Sequence, residues 1–142
     1  MIRRWTYVDN APIAEMEKKY FPDPWNFRML AGTYLLDNFV GLVDEREGKV
    51  VGYIGATYCI DEAEITLVAV DEPYRRKGIA TSLLNELFSV LKERSVERVL
   101  LEVRRSNYYA QKCYVKAGFS ALSVREGYYP DKEDALIMEK RI

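Results

Sequence analysis

The stretch that decides the fold is ITLVAVDEPYRRKGIATSLL, residues 65–84. Its first six residues, ITLVAV, are rich in β-branched side chains and predict a strand. After them, apolar residues recur at the spacing of one helix face: Ile79, Leu83, Leu84, Leu87 and Leu91. The sequence therefore predicts a strand that passes through a short turn directly into an amphipathic helix.

The turn carries three consecutive cations at positions 75–77, followed by Gly78. The first N–H groups of a helix have no partner within the helix, and together with the helix dipole they can bind an anion. Gly78 lets a ligand approach the backbone, Ala80 keeps the first helical turn slim, and Thr81 or Ser82 can add a hydroxyl. The spacing fits neither a P-loop nor a dinucleotide fingerprint. The residues alone leave two interpretations open: an anion site, or a solvated basic turn whose glycine serves the backbone geometry.

The remaining patterns predict a single domain, residues 1–142, of α/β (α+β) class with the order β-α-α-β-β-β-α-β-α-β-β. Short turns between the early strands predict antiparallel hairpins, whereas the strands flanking the helix after Gly78 predict a parallel pair. The apolar run ERVLLEV, residues 97–103, predicts a strand that is buried on both faces. In SNYYAQKCYVKAGF, residues 106–119, capping residues at the start and a glycine at the end predict another helix.

Composition narrows the possible chemistry and partners. The formal net charge is -1, so no overall basic field favours nucleic acid or a membrane as a partner. The absence of histidine excludes Ser-His-Asp and Cys-His chemistry and histidine-ligated metals. The two cysteines, Cys59 and Cys113, lack metal-site spacing, so we expect no metal. No signal peptide or membrane-spanning run is visible, which predicts a cytoplasmic protein.

The arrangement Arg75-x-x-Gly78-x-Ala80 between a strand and a helix resembles the acetyl-CoA motif, (Q/R)-x-x-G-x-(G/A), of the GNAT N-acetyltransferases. The segments FPDPWN, VAVDEPYRRKGIATSLL, LEVRRSNYYAQKCYVKAGF and YYPDKEDALIM follow the order and spacing of the ribosomal-protein-alanine N-acetyltransferases (RimI-like). This resemblance covers essentially the full chain. It implies a GNAT fold, with a mixed central sheet of about seven strands, a splayed parallel pair and about four flanking helices.

The resemblance also implies acetyl-CoA as cosubstrate and assigns its binding residues. The pyrophosphate would lie on the turn, and the pantetheine arm would pair with the preceding strand where the parallel strands splay apart. Asn107 matches a further CoA contact of the family. The implied cofactor-binding residues are Val68, Ala69, Val70, Arg75, Arg76, Lys77, Gly78, Ile79, Ala80, Thr81 and Asn107.

Glu102 and Tyr114 match the family's proposed general base and general acid. Attack of an amine on a thioester needs a neutral amine and a stabilised thiolate leaving group. Glu102 interrupts an apolar strand and could accept an ammonium proton, directly or through water; its alternative role is an ion pair with Arg104 or Arg105. Tyr114 could protonate the thiolate; its alternative role is a packed core tyrosine. No histidine can activate Cys113, which favours direct transfer in a ternary complex over an acyl-cysteine.

The acceptor implied by the resemblance is the α-amine of a protein N-terminus, typically an alanine and here that of a ribosomal protein. Trp25, Tyr128 and Tyr129 lie in segments that resemble the two loops holding the acceptor peptide; their alternative role is that of loop aromatics that cover the edge of the core. Gly127 stands where many relatives carry Asn, which is a departure in the second of these loops. Two other functions stay open: a GNAT enzyme that acts on a small-molecule amine or a lysine side chain, and a non-catalytic acyl-CoA-binding module. We expect a monomer or weak dimer.

Overall fold

The structure, a computed structural model, describes residues 1–142 and has the predicted order of elements. The strands are β1 Ile2–Arg4, β2 Phe39–Arg46, β3 Lys49–Cys59, β4 Glu62–Val70, β5 Arg98–Arg104, β6 Ser120–Arg125 and β7 Ala135–Arg141. The helices are α1 Asn10–Tyr20, α2 Phe27–Tyr34, α3 Ile79–Glu93 and α4 Tyr108–Lys116. All strands form one sheet in the order β1-β2-β3-β4-β5-β7-β6, in which only β4 and β5 are parallel. The predicted mixed fold is therefore confirmed.

The helices cover the two faces of the sheet unequally. Along β3, the side chain of Ile54 packs with α3 and that of Tyr53 with α1 and α2, because successive side chains point to opposite faces of a sheet. The α3 and α4 face holds a core of 21 buried residues, whereas the α1 and α2 face holds eight. No helix combines the length and the apolar character that a bilayer crossing requires.

The parallel strands β4 and β5 separate after four paired residues. Their ladder runs from Glu62 opposite Arg98 to Ile65 opposite Leu101 and then stops, although β4 continues to Val70. At this point Thr66 is an extra residue in β4, since Ile65 and Leu67 face consecutive residues of β3. Such a bulge bends a strand and increases its twist. A gap between β4 and β5 therefore opens from Thr66 toward the turn that precedes α3.

The prediction that β5 is buried on both faces is wrong. Burial alternates along this strand: Val99, Leu101 and Val103 are buried, whereas the residues between them are only partly buried. The buried set belongs to the α3 and α4 core. The strands that contribute to the small core under α1 and α2 are β2, β3 and β4. This core contains no residue of β5, so the other face of β5 has no helix above it. Glu102 lies on that open face.

Candidate active site

The turn before α3 presents backbone donors that the protein does not use. Gly78 is the N-cap residue of α3 and has a φ of 79°, while Arg76 also has a positive φ, of 63°. The N–H groups from Arg76 to Thr81 donate no hydrogen bond within the protein; the first that does is that of Ser82, to the Gly78 carbonyl at 3.0 Å. Because unpaired N–H groups at a helix N-terminus attract anions, this turn can hold a phosphate.

The three cations of the turn have different surroundings. Arg75 Nε donates to the Val70 carbonyl at 2.8 Å, and its guanidinium carbon lies 4.6 Å from the centre of the Tyr20 ring. Lys77 Nζ lies 5.6 Å from the Tyr74 ring centre, and Arg76 is exposed. Arg75 therefore ties the turn to the end of β4, whereas Arg76 and Lys77 face solvent with no carboxylate partner.

The edge of β4 that faces the gap offers further backbone groups. The Asp71 N–H donates to the Val51 carbonyl of β3 at 2.8 Å. In an antiparallel pair, alternate residues direct their N–H and C=O groups toward the partner strand. The corresponding groups of Val68 and Val70 therefore point away from β3, into the gap, while Ala69 bonds to β3.

Glu102 lies on the open face of β5, half-buried, with Ile137 of β7 as its cross-strand neighbour. Its nearest cation is Arg125 of β6, whose Nη1 is 3.7 Å from Glu102 Oε1. The sequence neighbours that offered an alternative partnership, Arg104 and Arg105, bind other carboxylates instead. The ion pair that was predicted as the alternative role of Glu102 is therefore formed with Arg125 and not with Arg104 or Arg105.

A second carboxylate, that of Glu64, lies near Glu102 and was not singled out from the sequence. In the parallel register Glu64 of β4 is opposite Leu100, on the same open face as Glu102. Burial and the Glu102 carboxylate raise the pKa of Glu64. The alternation of side chains along AEITLV predicts on which face of β4 Glu64 lies. The proximity of Glu64 to Glu102, however, depends on the register between β4 and β5, which are distant in sequence.

Two tyrosines of the β6–β7 connection stand beside Glu102. We call this connection, residues 126–134, the second loop, and the α1–α2 connection, residues 21–26, the first loop. The rings of Tyr128 and Tyr129 meet edge to face with centres 5.2 Å apart. A polar contact with the Glu102 carboxylate raises the pKa of Tyr128. Burial and Glu102 raise the pKa of Tyr129 to about 12.

Tyr114 lies on α4 with its ring buried against Phe119. Burial raises the pKa of Tyr114, with further contributions from Cys113 and Tyr129. The Tyr114 hydroxyl has no hydrogen-bond partner within the protein. It is not among the fully enclosed side-chain atoms that lack a partner, because Asn10 Nδ2 is the only one of these. The Tyr114 hydroxyl is therefore not fully enclosed, although the residue is only 8% exposed, and its raised pKa keeps the phenol protonated at neutral pH. Tyr129 contributes to the raised pKa of Tyr114, and Glu102 to that of Tyr129, so Tyr129 is electrostatically coupled to both groups.

Trp25 and Asn107 complete the set of residues predicted from the sequence. Trp25, in the first loop, is partly buried, and its backbone N–H donates at 3.1 Å to Glu17 Oε1. Asn107 caps α4, since its Oδ1 accepts the Ala110 N–H at 3.1 Å. Its side-chain nitrogen, Nδ2, has no hydrogen-bond partner within the protein. No group of three or more His, Cys, Asp or Glu residues could hold a metal ion.

Comparison with known proteins identifies related sequences and structures. The sequence model of the Acetyltransferase (GNAT) family matches residues 10–119. The ribosomal protein bS18-alanine N-acetyltransferase of Escherichia coli (strain K12) is 32% identical over 126 residues, which cover 87% of this chain and 84% of that protein. An N-alpha-acetyltransferase of Saccharolobus solfataricus is 38% identical over 120 residues, covering 75% and 70%.

Among solved structures, the ribosomal-protein-S18-alanine N-acetyltransferase from Escherichia coli has a TM-score of 0.92 at 30% identity. That superposition covers 100% of this chain and 93% of the other. The resemblance expected from the sequence is thereby confirmed. The family match includes every candidate residue except Tyr128 and Tyr129, which lie in the second loop beyond residue 119.

Proposed function

This chain belongs to the GNAT acetyltransferase family, and we propose that it transfers the acetyl group of acetyl-CoA to the α-amine of a protein N-terminus. Its being an N-acetyltransferase follows from the family and from its relatives. The donor, the acceptor and the route of transfer are the proposal. The observation that carries it is the gap between β4 and β5, which has unpaired helix N–H groups at its wide end and Glu102 near its narrow end.

The donor is supported by a free strand edge that leads into an anion-binding turn. A pantetheine arm is extended and carries amides, so it can hydrogen bond as another strand would to the N–H and C=O of Val68 and to the N–H of Val70, whose carbonyl already accepts from Arg75. The pyrophosphate then meets the N–H groups of residues 76–81 and the cations Arg76 and Lys77. A Cβ built on Gly78 would meet no protein atom within 4 Å, so the space beside this turn is open.

The route is direct transfer, with Glu102 and Tyr114 moving the protons. Glu102 accepts a proton from the α-ammonium, directly or through water, and releases it to solvent. The neutral amine attacks the thioester carbon and the carbon–sulfur bond breaks. Tyr114 gives its proton to the departing sulfur and regains one from the attacking nitrogen through water. The products are the N-acetylated terminus, the free thiol of CoA and one proton.

The acceptor is supported by the two loops that border the open face of β5. Trp25 of the first loop and Tyr128 and Tyr129 of the second would line a narrow slot above Glu102. A terminal amine with a small first residue fits such a slot. The names of the Escherichia coli and Saccharolobus solfataricus relatives describe an alanine and an α-amine as their acceptors. We propose the same acceptor class here, an N-terminal alanine of a ribosomal protein.

Acceptor class can be tested with purified enzyme and acetyl-CoA. A peptide that begins with alanine should be acetylated, whereas the same peptide with a blocked terminus, an internal-lysine peptide and a polyamine should not. Mass spectrometry of the products locates the acetyl group. Turnover of the polyamine or the lysine peptide without turnover of any terminal amine would contradict the proposed acceptor.

The catalytic roles can be tested with Glu102→Gln and Tyr114→Phe. Each variant should lower kcat by about 10²–10⁴-fold, the usual contribution of a general base or acid, while the Kd of acetyl-CoA stays nearly unchanged. Glu86→Gln on the exposed side of α3 and Tyr109→Phe on the exposed side of α4 are matched controls. Wild-type kcat in Glu102→Gln or Tyr114→Phe would remove that residue from its proposed role.

A further inference from the structure

Arg104 is the one side chain that is hydrogen bonded to both loops at the acceptor slot. It lies on β5, two residues after Glu102 and on the same open face. Its Nη2 donates to Asp23 of the first loop at 3.0 Å. Its Nη1 donates to the second loop, at 2.9 Å to Asp131 Oδ2 and 3.0 Å to Glu133 Oε1. The guanidinium therefore bridges two segments of the chain that are 81 and 27 residues away from it in sequence.

The same guanidinium also supports one wall of the slot. Its central carbon lies 4.0 Å from the centre of the Tyr129 ring, a stacking distance. The second loop is folded around this contact, since the Tyr129 N–H donates to the Glu133 carbonyl at 3.2 Å and the Lys132 N–H to the Tyr129 carbonyl at 2.8 Å. Arg104 thus fixes both the backbone of the second loop and the position of an aromatic side chain next to Glu102.

The environment of Arg104 indicates a positioning role and not one in binding the acceptor. The side chain is only 20% exposed, and both terminal nitrogens already donate to carboxylates. Burial by itself would lower the pKa of Arg104, but hydrogen bonds to Glu133, Asp131 and Asp23 raise it. A planar guanidinium suits this geometry because its donors diverge in fixed directions, which an ammonium group cannot reproduce.

We infer that Arg104 sets the width of the acceptor slot by holding the first and second loops at a fixed separation, and thereby determines how large the first residue of the acceptor can be. The inference rests on the proposed function, because it assumes that the acceptor enters between these loops. If Arg104 is removed, the Asp23 carboxylate of the first loop loses its hydrogen bond and ion pair. The second loop loses the positive charge that offsets the carboxylates of Asp131 and Glu133. Each loop keeps its own anchors, such as Glu17 on the first and Ser106 on the second, but no side chain then hydrogen bonds to both loops.

The test compares Arg104→Gln with the neighbouring change Arg105→Gln. Arg105 is 65% exposed, and its side chain binds only Asp134, the last residue of the second loop. This control therefore removes the same charge, together with an exposed ion pair that contributes little, and leaves the bridge intact. Arg104→Gln should raise KM for an alanine-starting peptide roughly ten- to hundredfold, because binding of the peptide must then also order the two loops. KM for acetyl-CoA and kcat should change little, and the preference for alanine over leucine as first residue should shrink. Arg105→Gln should behave as wild type.

Asp23→Asn separates the two arms of the bridge and covers the case in which Arg104→Gln fails to fold. It should raise the peptide KM by a smaller factor, and the double variant should be no worse than Arg104→Gln alone, because both changes remove one shared contact. An unchanged peptide KM and an unchanged alanine-to-leucine ratio in Arg104→Gln, or in Asp23→Asn where Arg104→Gln does not fold, would overturn the inference. So would an equal loss in kcat and in both KM values.

Hydrogen exchange provides a readout that does not depend on turnover. Amide exchange should accelerate in both loops of Arg104→Gln, in the first loop of Asp23→Asn, and in neither loop of Arg105→Gln. If wild-type enzyme acetylates no terminal peptide, the proposed function fails while this exchange pattern still decides whether Arg104 holds the loops. Exchange that is unchanged in both loops of Arg104→Gln would refute the bridge itself.

Discussion

At the scale of single residues, the turn before α3 depends on one glycine. Gly78 adopts a φ of 79°, which residues with a Cβ rarely reach, and it precedes the first unpaired N–H groups of the helix. The same position lies where an anion would approach the turn. A side chain at this position would therefore have two separate effects, one on the backbone and one on the ligand.

Gly78→Ala is expected to destabilise the protein by about 1–2 kcal/mol, the cost of a Cβ in the left-handed region, and also to weaken acetyl-CoA binding. Gly48→Ala is the matched control, because Gly48 has a φ of 74° and equally open surroundings but lies in the β2–β3 hairpin. Urea unfolding should show a similar loss for both variants, while calorimetry should show weaker CoA binding for Gly78→Ala alone. Equal CoA affinity in the two variants would contradict a ligand site at this turn.

The residue scale also shows what sequence patterns can and cannot predict. Gly78 and the capping side chain of Asn107 act within a few residues of themselves, so local patterns predict them. The partner of Glu102 is Arg125, which reaches it only through the pairing of β5, β7 and β6. Glu64 likewise approaches Glu102 only through the parallel register. Contacts that depend on strand register are not encoded in any short segment.

At the scale of elements, α1 illustrates how a buried charge can position a loop. Its carboxylate Glu17 is buried beneath the first loop, where it accepts hydrogen bonds from the Tyr53 hydroxyl and from the Trp25 N–H. Burial raises the pKa of Glu17. Helical periodicity predicts that this position faces the core but gives no reason for an acid there. The reason is the loop, whose backbone donor would otherwise be unpaired.

Glu17→Ala should lower the free energy of unfolding by roughly 2–4 kcal/mol, because it leaves two buried donors without an acceptor. Glu15→Ala, an exposed change on the same helix, should have little effect. Thermal and urea unfolding measure both. Because the pKa of Glu17 is raised on folding, its ionisation opposes folding, and its contribution to stability falls as the pH rises through the folded pKa. A wild-type unfolding curve for Glu17→Ala would contradict this account of the loop.

Strand β5 shows why an apolar run can mislead. The letters VLLEV are nearly uniform, yet the structure buries only alternate residues, since helices cover one face of this strand and loops border the other. The number of covered faces is a property of the whole sheet. The sequence therefore predicts the existence, order and type of the elements. It does not predict which face of β5 is left without a helix and can form part of an active site.

At the scale of the whole molecule, several carboxylates are held in their charged form by the fold. Burial would raise the pKa of Asp9, but Arg3 and Thr6 lower it overall; likewise the N-terminal ammonium and Arg46 lower that of Asp44. The hydroxyl of Tyr20 lowers the pKa of Asp71. A group whose pKa is lowered on folding stabilises the native state above its unfolded pKa and loses that contribution as the pH falls through its folded pKa.

The protein should therefore lose stability in acid. We expect the free energy of unfolding in urea to fall by about 2 kcal/mol or more between roughly pH 5 and pH 2. Asp9→Asn should reduce this loss, because Asp9 is buried and its carboxylate accepts hydrogen bonds from Arg3 at 2.8 and 2.9 Å. Asp37→Asn, at an exposed site, serves as the control. An acid dependence of Asp9→Asn equal to that of wild type would exclude Asp9 as a source.

The short ladder between β4 and β5 has a mechanical consequence. It joins two antiparallel units by four residue pairs; one unit consists of β1, β2, β3 and β4, and the other of β5, β6 and β7. By contrast, the ladders between β2 and β3 and between β3 and β4 have eight pairs each, and the ladder between β5 and β7 has seven. Only the ladder that attaches the three-residue edge strand β1 has fewer pairs, so the seam between the units is more compliant than the long ladders within them. The first loop belongs to one unit and the second loop to the other, so a small rotation about this seam changes the width of the gap and the spacing of the loops in a single motion.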